Sequence, residues 1–340
     1  MQIQQWKYNK PFALENGKVL PEIDIAYTTY GTPNATMDNV VWVCHALTAN
    51  SDVQEWWPGM FGPGKLLDPT SSYIICANII GSCYGSTGPT SINPATGQPY
   101  YNEFPLVTIR DMVQAHRLLA NELGIQNIEC IIGSSMGGHQ ALEWLVQEPE
   151  RFRNGILIAT NAEHSPWGIA FNESQRMAIE ADATWGEPRE DAAWNGLQAA
   201  RSIGMLSYRH YNTYAKTQND QADKTDDYLA SSYQRYQGLK LAKRFNAYAY
   251  HRLSKAMDSH RIHRNRGSIQ QALGKIQAKV LCIGIETDIL FPPSEVEFLA
   301  ANILHAEYRE ITSKYGHDGF LIENEQLQSL IEEACFHTAD

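Results

Sequence analysis

The chain alternates short, continuously apolar runs with stretches of helical period. The runs are VVWVC at 40–44, YIICANII at 73–80, IECIIG at 128–133, GILIA at 155–159 and KVLCIGI at 279–285. Unbroken apolarity fits strands buried on both faces, as parallel sheets require. Near the start, Ile23, Ile25 and Tyr27 alternate with polar or small residues until Gly31–Thr32–Pro33 ends the run, which predicts another strand. Ile109, Met112, Val113, His116, Leu119 and Leu123 recur at helical spacing, so a helix is expected over 108–123, capped by Thr108 and ended by Gly124. His116, on its apolar face, is expected to be a packed core residue. A second helix is expected over 136–147, stopped near Pro149.

Strands alternating with helices imply an α/β fold, a mostly parallel sheet covered by helices on both faces. The alternation breaks near residue 162, and only helical patterns follow to about 276. It resumes at 279–285 and closes with a helix near 324–336. The expected layout is a core of residues 1–161 and 277–340 interrupted by a helical insertion at 162–276.

Composition narrows the classes. Of 340 residues, 43% are hydrophobic and 19% charged, enough for a sizeable core and against a disordered chain. The net charge of −11, with no basic block, argues against nucleic acid and anionic membrane as partners. No apolar stretch has the length of a membrane span, and MQIQQWKYNKPFALENG has no apolar signal core, so no signal peptide is expected. Cysteines at 44, 76, 83, 130, 282 and 335 form no CxxC pair, and Cys44, Cys76 and Cys282 lie in strand-like runs. They are expected to be small buried hydrophobes in a reducing cytoplasm, without disulfides or structural zinc.

The chemistry centres on Gly133–Ser134–Ser135–Met136–Gly137. A GxSxG pattern alone is weak, with about 0.1 chance matches in a chain of this length. Here a strand-like run precedes it and a helical run follows, the setting of a nucleophile elbow. Ser135 then sits at a helix N-terminus, whose dipole favours developing negative charge. A serine hydroxyl needs a base oriented by an acid, in the chain order Ser, acid, His. Asp288, just past the strand at 279–285, is the expected acid, with Glu286 as its rival. His317, in Tyr315–Gly316–His317–Asp318–Gly319, is the expected base. His305 reads as structural, in a helical run, and His337 as part of the tail. The backbone N–H groups of Leu47, after the run 40–44, and Met136 are the expected oxyanion donors.

Longer motifs add to this. HALTANSD at 45–52, WWPGMFGPGK at 56–65, NIIGSCYGSTGPTSINPATGQPY at 78–100, FPLVTIRDMV at 104–113 and GSSMGGHQALEW at 133–144 follow in order. NESQRMAIEAD at 172–182, AARSIGMLSYR at 199–209, SYQRYQGLKLAKRFNAYAY at 232–250, ETDILFPP at 286–293 and YGHDGFLIE at 315–323 complete the set. On these motifs, which span nearly the whole chain, the sequence resembles the homoserine O-acetyltransferase family of the α/β-hydrolase superfamily. The resemblance implies a ping-pong transfer of acetyl from acetyl-CoA through Ser135 to the hydroxyl of L-homoserine, in methionine biosynthesis. It implies no permanently bound cofactor, with acetyl-CoA acting as a substrate, and it implies that Arg201 and Asp318 bind homoserine. A guanidinium fork suits the acceptor's carboxylate and a carboxylate suits its ammonium; Arg209 is an alternative carboxylate ligand. Ser134 stands where the family has glycine, His139 where methionine is common, and Gly319 where alanine is usual.

A transferase must let the acceptor's hydroxyl outcompete water. The insertion is the segment large enough to wall in a tunnel, so it is expected to act as a lid and to help form a homodimer. Lys240, Lys243 and Arg244 are candidates to meet the phosphates of CoA. Serine as acceptor, succinyl-CoA as donor, or simple ester hydrolysis are the alternative readings.

Overall fold

A computed structural model describes residues 2–336, without the side chains of Cys335 and Phe336; His337 lies outside the described residues. Eight strands form one sheet: β1 (Gln4–Tyr8), β2 (Ile23–Tyr30), β3 (Val40–Cys44), β4 (Tyr73–Ala77), β5 (Ile128–Ser134), β6 (Phe152–Ile158), β7 (Lys279–Ile285) and β8 (Ala306–Ile311). Their order across the sheet is β1-β2-β4-β3-β5-β6-β7-β8. From β4 to β8 every neighbouring pair is parallel, while β1–β2 and β2–β4 are antiparallel. The central strands are the continuously apolar runs, and every residue of β3 is buried. The run at 73–80 stops being a strand at Ala77. Asn78 turns away there, its side chain accepting from the Ser51 N–H and donating to the Tyr84 carbonyl.

Helix α1 (Ile109–Glu122) opens with a capping box between Thr108 and Asp111, and Gly124 follows its end at φ +72°. Helix α2 (Met136–Gln147) crosses the sheet beside it. His116 is fully buried against Trp42 and Trp144, and neither ring nitrogen has a hydrogen bond. Burial pushes its pKa down to about 3, so it packs as a neutral ring. Cys44, Cys76 and Cys282 are buried thiols, Cys130 is buried and Cys83 half-buried.

Between β6 and β7 the described chain forms six helices: α3 (Pro166–Glu180), α4 (Trp194–Tyr208), α5 (Tyr211–Thr217), α6 (Leu229–Ala242), α7 (Ala247–Asp258) and α8 (Ile269–Leu273). Ser165, Asn246 and Ser268 accept from backbone N–H groups at the starts of α3, α7 and α8. Arg176, buried on α3, pairs with Asp258 of α7, and α4 packs between α3 and α6. Two longer helices of the core, α9 (Pro293–Asn302) and α10 (Asn324–Ile331), pack beside the last strands. His305 corrects one expectation: it occupies an exposed turn between α9 and β8 rather than a helix, because the helix ends at Asn302 and the chain must reverse into β8. No helix among the described residues is long and apolar enough to cross a membrane.

Candidate active site

Ser135 is held by the turn between β5 and α2. Its backbone lies at φ +55°, ψ −126°, a region that costs a non-glycine residue about 1–3 kcal/mol. The surroundings enforce it. The Ser135 N–H donates to the Ile158 carbonyl of β6 at 3.0 Å, and the Thr160 hydroxyl donates to the Ser135 carbonyl at 3.1 Å. Both glycines of the GxSxG pattern are required by close approach. A Cβ on Gly137 would lie 2.1 Å from the Cys44 carbonyl oxygen, and one on Gly133 would lie 2.1 Å from that of Gly137. Ser134, where a glycine was the familiar residue, ends β5 with its side chain buried.

The acid and imidazole come from two loops at the carboxyl ends of β7 and β8. Asp288 is buried; its Oδ1 accepts from the N–H groups of Leu290 and Phe291, and its Oδ2 lies 2.6 Å from His317 Nδ1. Glu286, the rival acid, is exposed, and its N–H joins the Ile311 carbonyl instead. The loops are tied together: the Thr287 hydroxyl donates to the Ser313 carbonyl and accepts from the Gly316 N–H. Phe291 stacks on the His317 ring, with centroids 5.2 Å apart. Burial pushes the imidazole's pKa down, but the Asp288 carboxylate outweighs it, and the net value is raised above 6.5.

Ser135 and His317 line one cavity of about 340 Å³ between the strand ends and the inserted helices. Leu47 is on its wall. Met136 is buried as the first residue of α2, so its N–H has no partner within the helix. Arg201 and Asp318 also line the cavity. The Arg201 guanidinium lies 5.2 Å from the centre of the Tyr208 ring, which is itself 6.0 Å from that of His317. Arg209 is not on the wall; it pairs with Asp318 at 2.8 Å. Burial pushes the Asp318 pKa up, against the lowering pull of Arg209, Arg201 and His317. Lys240 and Arg244 line the cavity, and Arg244 also donates to the Thr48 carbonyl and the Tyr84 hydroxyl. Lys243 instead faces a neighbouring cavity that shares Arg244.

Asn172, Gln175 and Tyr208 are among the polar wall residues to which the sequence assigns no role. The first two belong to NESQR and the third to LSYR, so the motifs flagged them without saying what they touch. Tyr250 donates its hydroxyl to Gln175 and so braces the wall from behind. His139 lies beneath the elbow, stacked on His260 at 4.0 Å and donating from Nε2 to Asn161 Oδ1. His164 completes this buried group, 5.6 Å from His139. Burial drives all three below the ordinary value, His164 to about 4 and His260 to about 3. Among the described residues, no group of three or more His, Cys, Asp or Glu side chains is arranged to hold a metal ion.

Comparison with known proteins adds four findings. Residues 39–323 match the family described as the alpha/beta hydrolase fold. The chain is 52% identical over 320 residues to the homoserine O-acetyltransferase of Cyclobacterium marinum, covering 94% of this chain and 91% of the relative. Among solved structures it is similar to homoserine O-acetyltransferase from Bacillus anthracis, with TM-score 0.91, 26% identity and the full length of both chains covered. It also superposes on esterase E22 with TM-score 0.89, covering 98% of this chain and 100% of the other; at 24% identity that likeness shows the fold alone.

Proposed function

The chain belongs to the homoserine O-acetyltransferase family of the alpha/beta hydrolase fold, and from that premise we propose that it moves an acetyl group from acetyl-CoA to the hydroxyl of L-homoserine. The observation that carries this reading is a single cavity lined by Ser135, His317, Arg201 and Asp318. His317 Nε2 takes the proton of the Ser135 hydroxyl as its oxygen attacks the thioester carbonyl, while Asp288 holds Nδ1–H and stabilises the imidazolium. The tetrahedral oxyanion is met by the N–H groups of Leu47 and Met136. Collapse releases the CoA thiol, protonated by the imidazolium, and leaves acetyl-Ser135. Homoserine then binds with its carboxylate at Arg201 and its ammonium at Asp318. His317 removes the proton from its hydroxyl, which attacks the acetyl carbonyl, and O-acetylhomoserine leaves as the serine is reprotonated.

Specificity follows from this division of labour. The acceptor's two charges are both matched, so its hydroxyl is held at the ester while water is not. The donor's phosphates meet Lys240 and Arg244 at the cavity wall; Lys243 faces the neighbouring cavity. The insertion acts as a lid, and its exposed Leu206, Tyr211, Leu229, Tyr236 and Leu239 form the contact of a homodimer. The enzyme works in the cytoplasm, in methionine biosynthesis, with no resident cofactor. Steady-state thiol release from acetyl-CoA tests the reading. Release that requires homoserine and yields O-acetylhomoserine is expected; equal release without an acceptor would make the protein a hydrolase.

A further inference from the structure

The Asp318 carboxylate has a partner outside the cavity. Arg209 follows the last residue of α4, and its Nε lies 2.8 Å from Asp318 Oδ2. Arg201, on the same helix, is part of the cavity wall, and Arg209 is not. The two arginines therefore divide the carboxylate's surroundings: one stands beside it in the cavity and the other behind it. Arg209 side-chain exposure is 22% and that of Asp318 is 15%, so the pair is well shielded from solvent. Ion pairs in that setting keep more of their strength than surface pairs.

The end of α4 is also seated on the turn that carries His317 and Asp318. Gly316 sits at φ +65°, and a Cβ there would come within 3.1 Å of the Tyr208 carbonyl oxygen and the backbone of Arg209 and His210. The Thr213 hydroxyl donates to the Lys314 carbonyl. Thus the turn is fastened to the inserted helices on one side and, through Thr287, to the Asp288 loop on the other.

We propose that Arg209 is a positioning residue for the acceptor: its guanidinium clamps Asp318 from outside the cavity, leaving the other carboxylate oxygen to meet the acceptor's ammonium, and so sets the preference for an amino-acid acceptor. The inference rests on the homoserine reading given above. Its physical basis is charge balance. A buried carboxylate without sufficient positive charge takes up a proton, and a neutral acid is a poor site for an ammonium ion. Arg201 is committed to the acceptor's own carboxylate, so Arg209 is the cation left to hold Asp318 ionised and aimed. A purely structural role predicts something different: a loosened turn would displace His317 and slow both half-reactions alike.

The test separates the two half-reactions in the full-length enzyme. Acyl-enzyme formation is read as the pre-steady-state burst of CoA thiol from acetyl-CoA. Acceptor use is read as KM and kcat/KM for homoserine and for 4-hydroxybutyrate, the same hydroxy acid without the amino group. Arg209→Met is expected to raise the homoserine KM by about tenfold or more, to shrink the preference over 4-hydroxybutyrate by a similar factor, and to leave the burst rate unchanged. Arg209→Lys is expected to regain most of the preference, and it carries the test if the Met variant folds poorly. A burst slowed in step with acceptor use, or an unchanged KM and preference, overturns the assignment. Failure of the underlying reading has a different signature: the wild-type enzyme would transfer no acetyl to homoserine, and the assignment would fall with it.

Discussion

The site has two halves that are built differently. Ser135, Asp288 and His317 stand on strand ends and tight turns, where backbone contacts over-determine their positions: two glycines pressed against carbonyls, a positive φ, and loops tied by Thr287. Arg201, Tyr208, Lys240 and Arg244 stand on or just beyond inserted helices, where side-chain length and helix docking decide reach. The difference separates reaction from recognition. In the proposed reaction the half carried by the sheet makes and breaks the acyl bond; esterase E22 shares the fold. In the same proposal the inserted half, which supplies Arg201 to the cavity wall, chooses which hydroxyl receives the acyl group.

Perturbing the first half should therefore stop both half-reactions. Ser135→Ala is expected to lower kcat by about 10⁶-fold with the fold intact, measured by thiol release and circular dichroism. Asp288→Asn comes next, at about 10⁴-fold, because the imidazole loses its orienting partner. It should also move the acid limb of the kcat/KM profile. His317 must be neutral to act as base, and Asp288 is what raises its pKa above 6.5. Activity therefore rises with pH through that raised value, and without the carboxylate the limb shifts to lower pH.

Perturbing the second half should spare acyl-enzyme formation. Arg201→Ala is expected to reduce kcat/KM for homoserine by about a hundredfold, leaving the thiol burst intact. A matching loss in the burst would erase the distinction between the halves. The smallest effect on turnover, about tenfold, is expected from Lys240→Glu with Arg244→Glu, as a raised KM for acetyl-CoA.

The buried histidines beneath the elbow sharpen the contrast through stability rather than turnover. His164 and His260 have folded-state pKa values of about 4 and about 3, below the unfolded value of 6.5. The unfolded chain therefore binds more protons as pH falls below 6.5, and stability declines by about 1.4 kcal/mol per pH unit for each such group until the folded pKa is reached. His317 has the opposite sign: its raised pKa gives stability that is present below pH 6.5 and lost as pH rises through the folded value. Thermal melts between pH 4 and 7 should show the loss on the acid side, reduced in a His260→Gln variant.

The first half was readable in the residues because its constraints are local. GxSxG between an apolar run and a helical run states a strand, a turn and a helix, and Gly133 and Gly137 are glycine for a reason that any residue with a Cβ would violate. Asp288 was distinguishable from Glu286 only as an expectation; the structure adds that one is buried against His317 and the other exposed. The second half was readable only through resemblance. Arg201 and Arg209 are alike in the sequence, and nothing in their spacing says that one lines the cavity while the other backs Asp318. That depends on where the end of α4 docks, a tertiary contact more than a hundred residues away along the chain. The same holds for Lys243, grouped with Lys240 and Arg244 in sequence yet facing another cavity. His305 was misplaced in a helix because the apolar run through α9 continues past its end into the turn before β8.

In the proposed reaction the side chain at position 135 carries the acetyl group between donor and acceptor. Peptide-mapped mass spectrometry of enzyme quenched after mixing with acetyl-CoA alone reads this directly. One acetyl group on Ser135, discharged as O-acetylhomoserine when homoserine is added, is the expected result. Product formed without any acetylated Ser135 intermediate, or an acetyl group on Ser135 that homoserine cannot discharge, would contradict it.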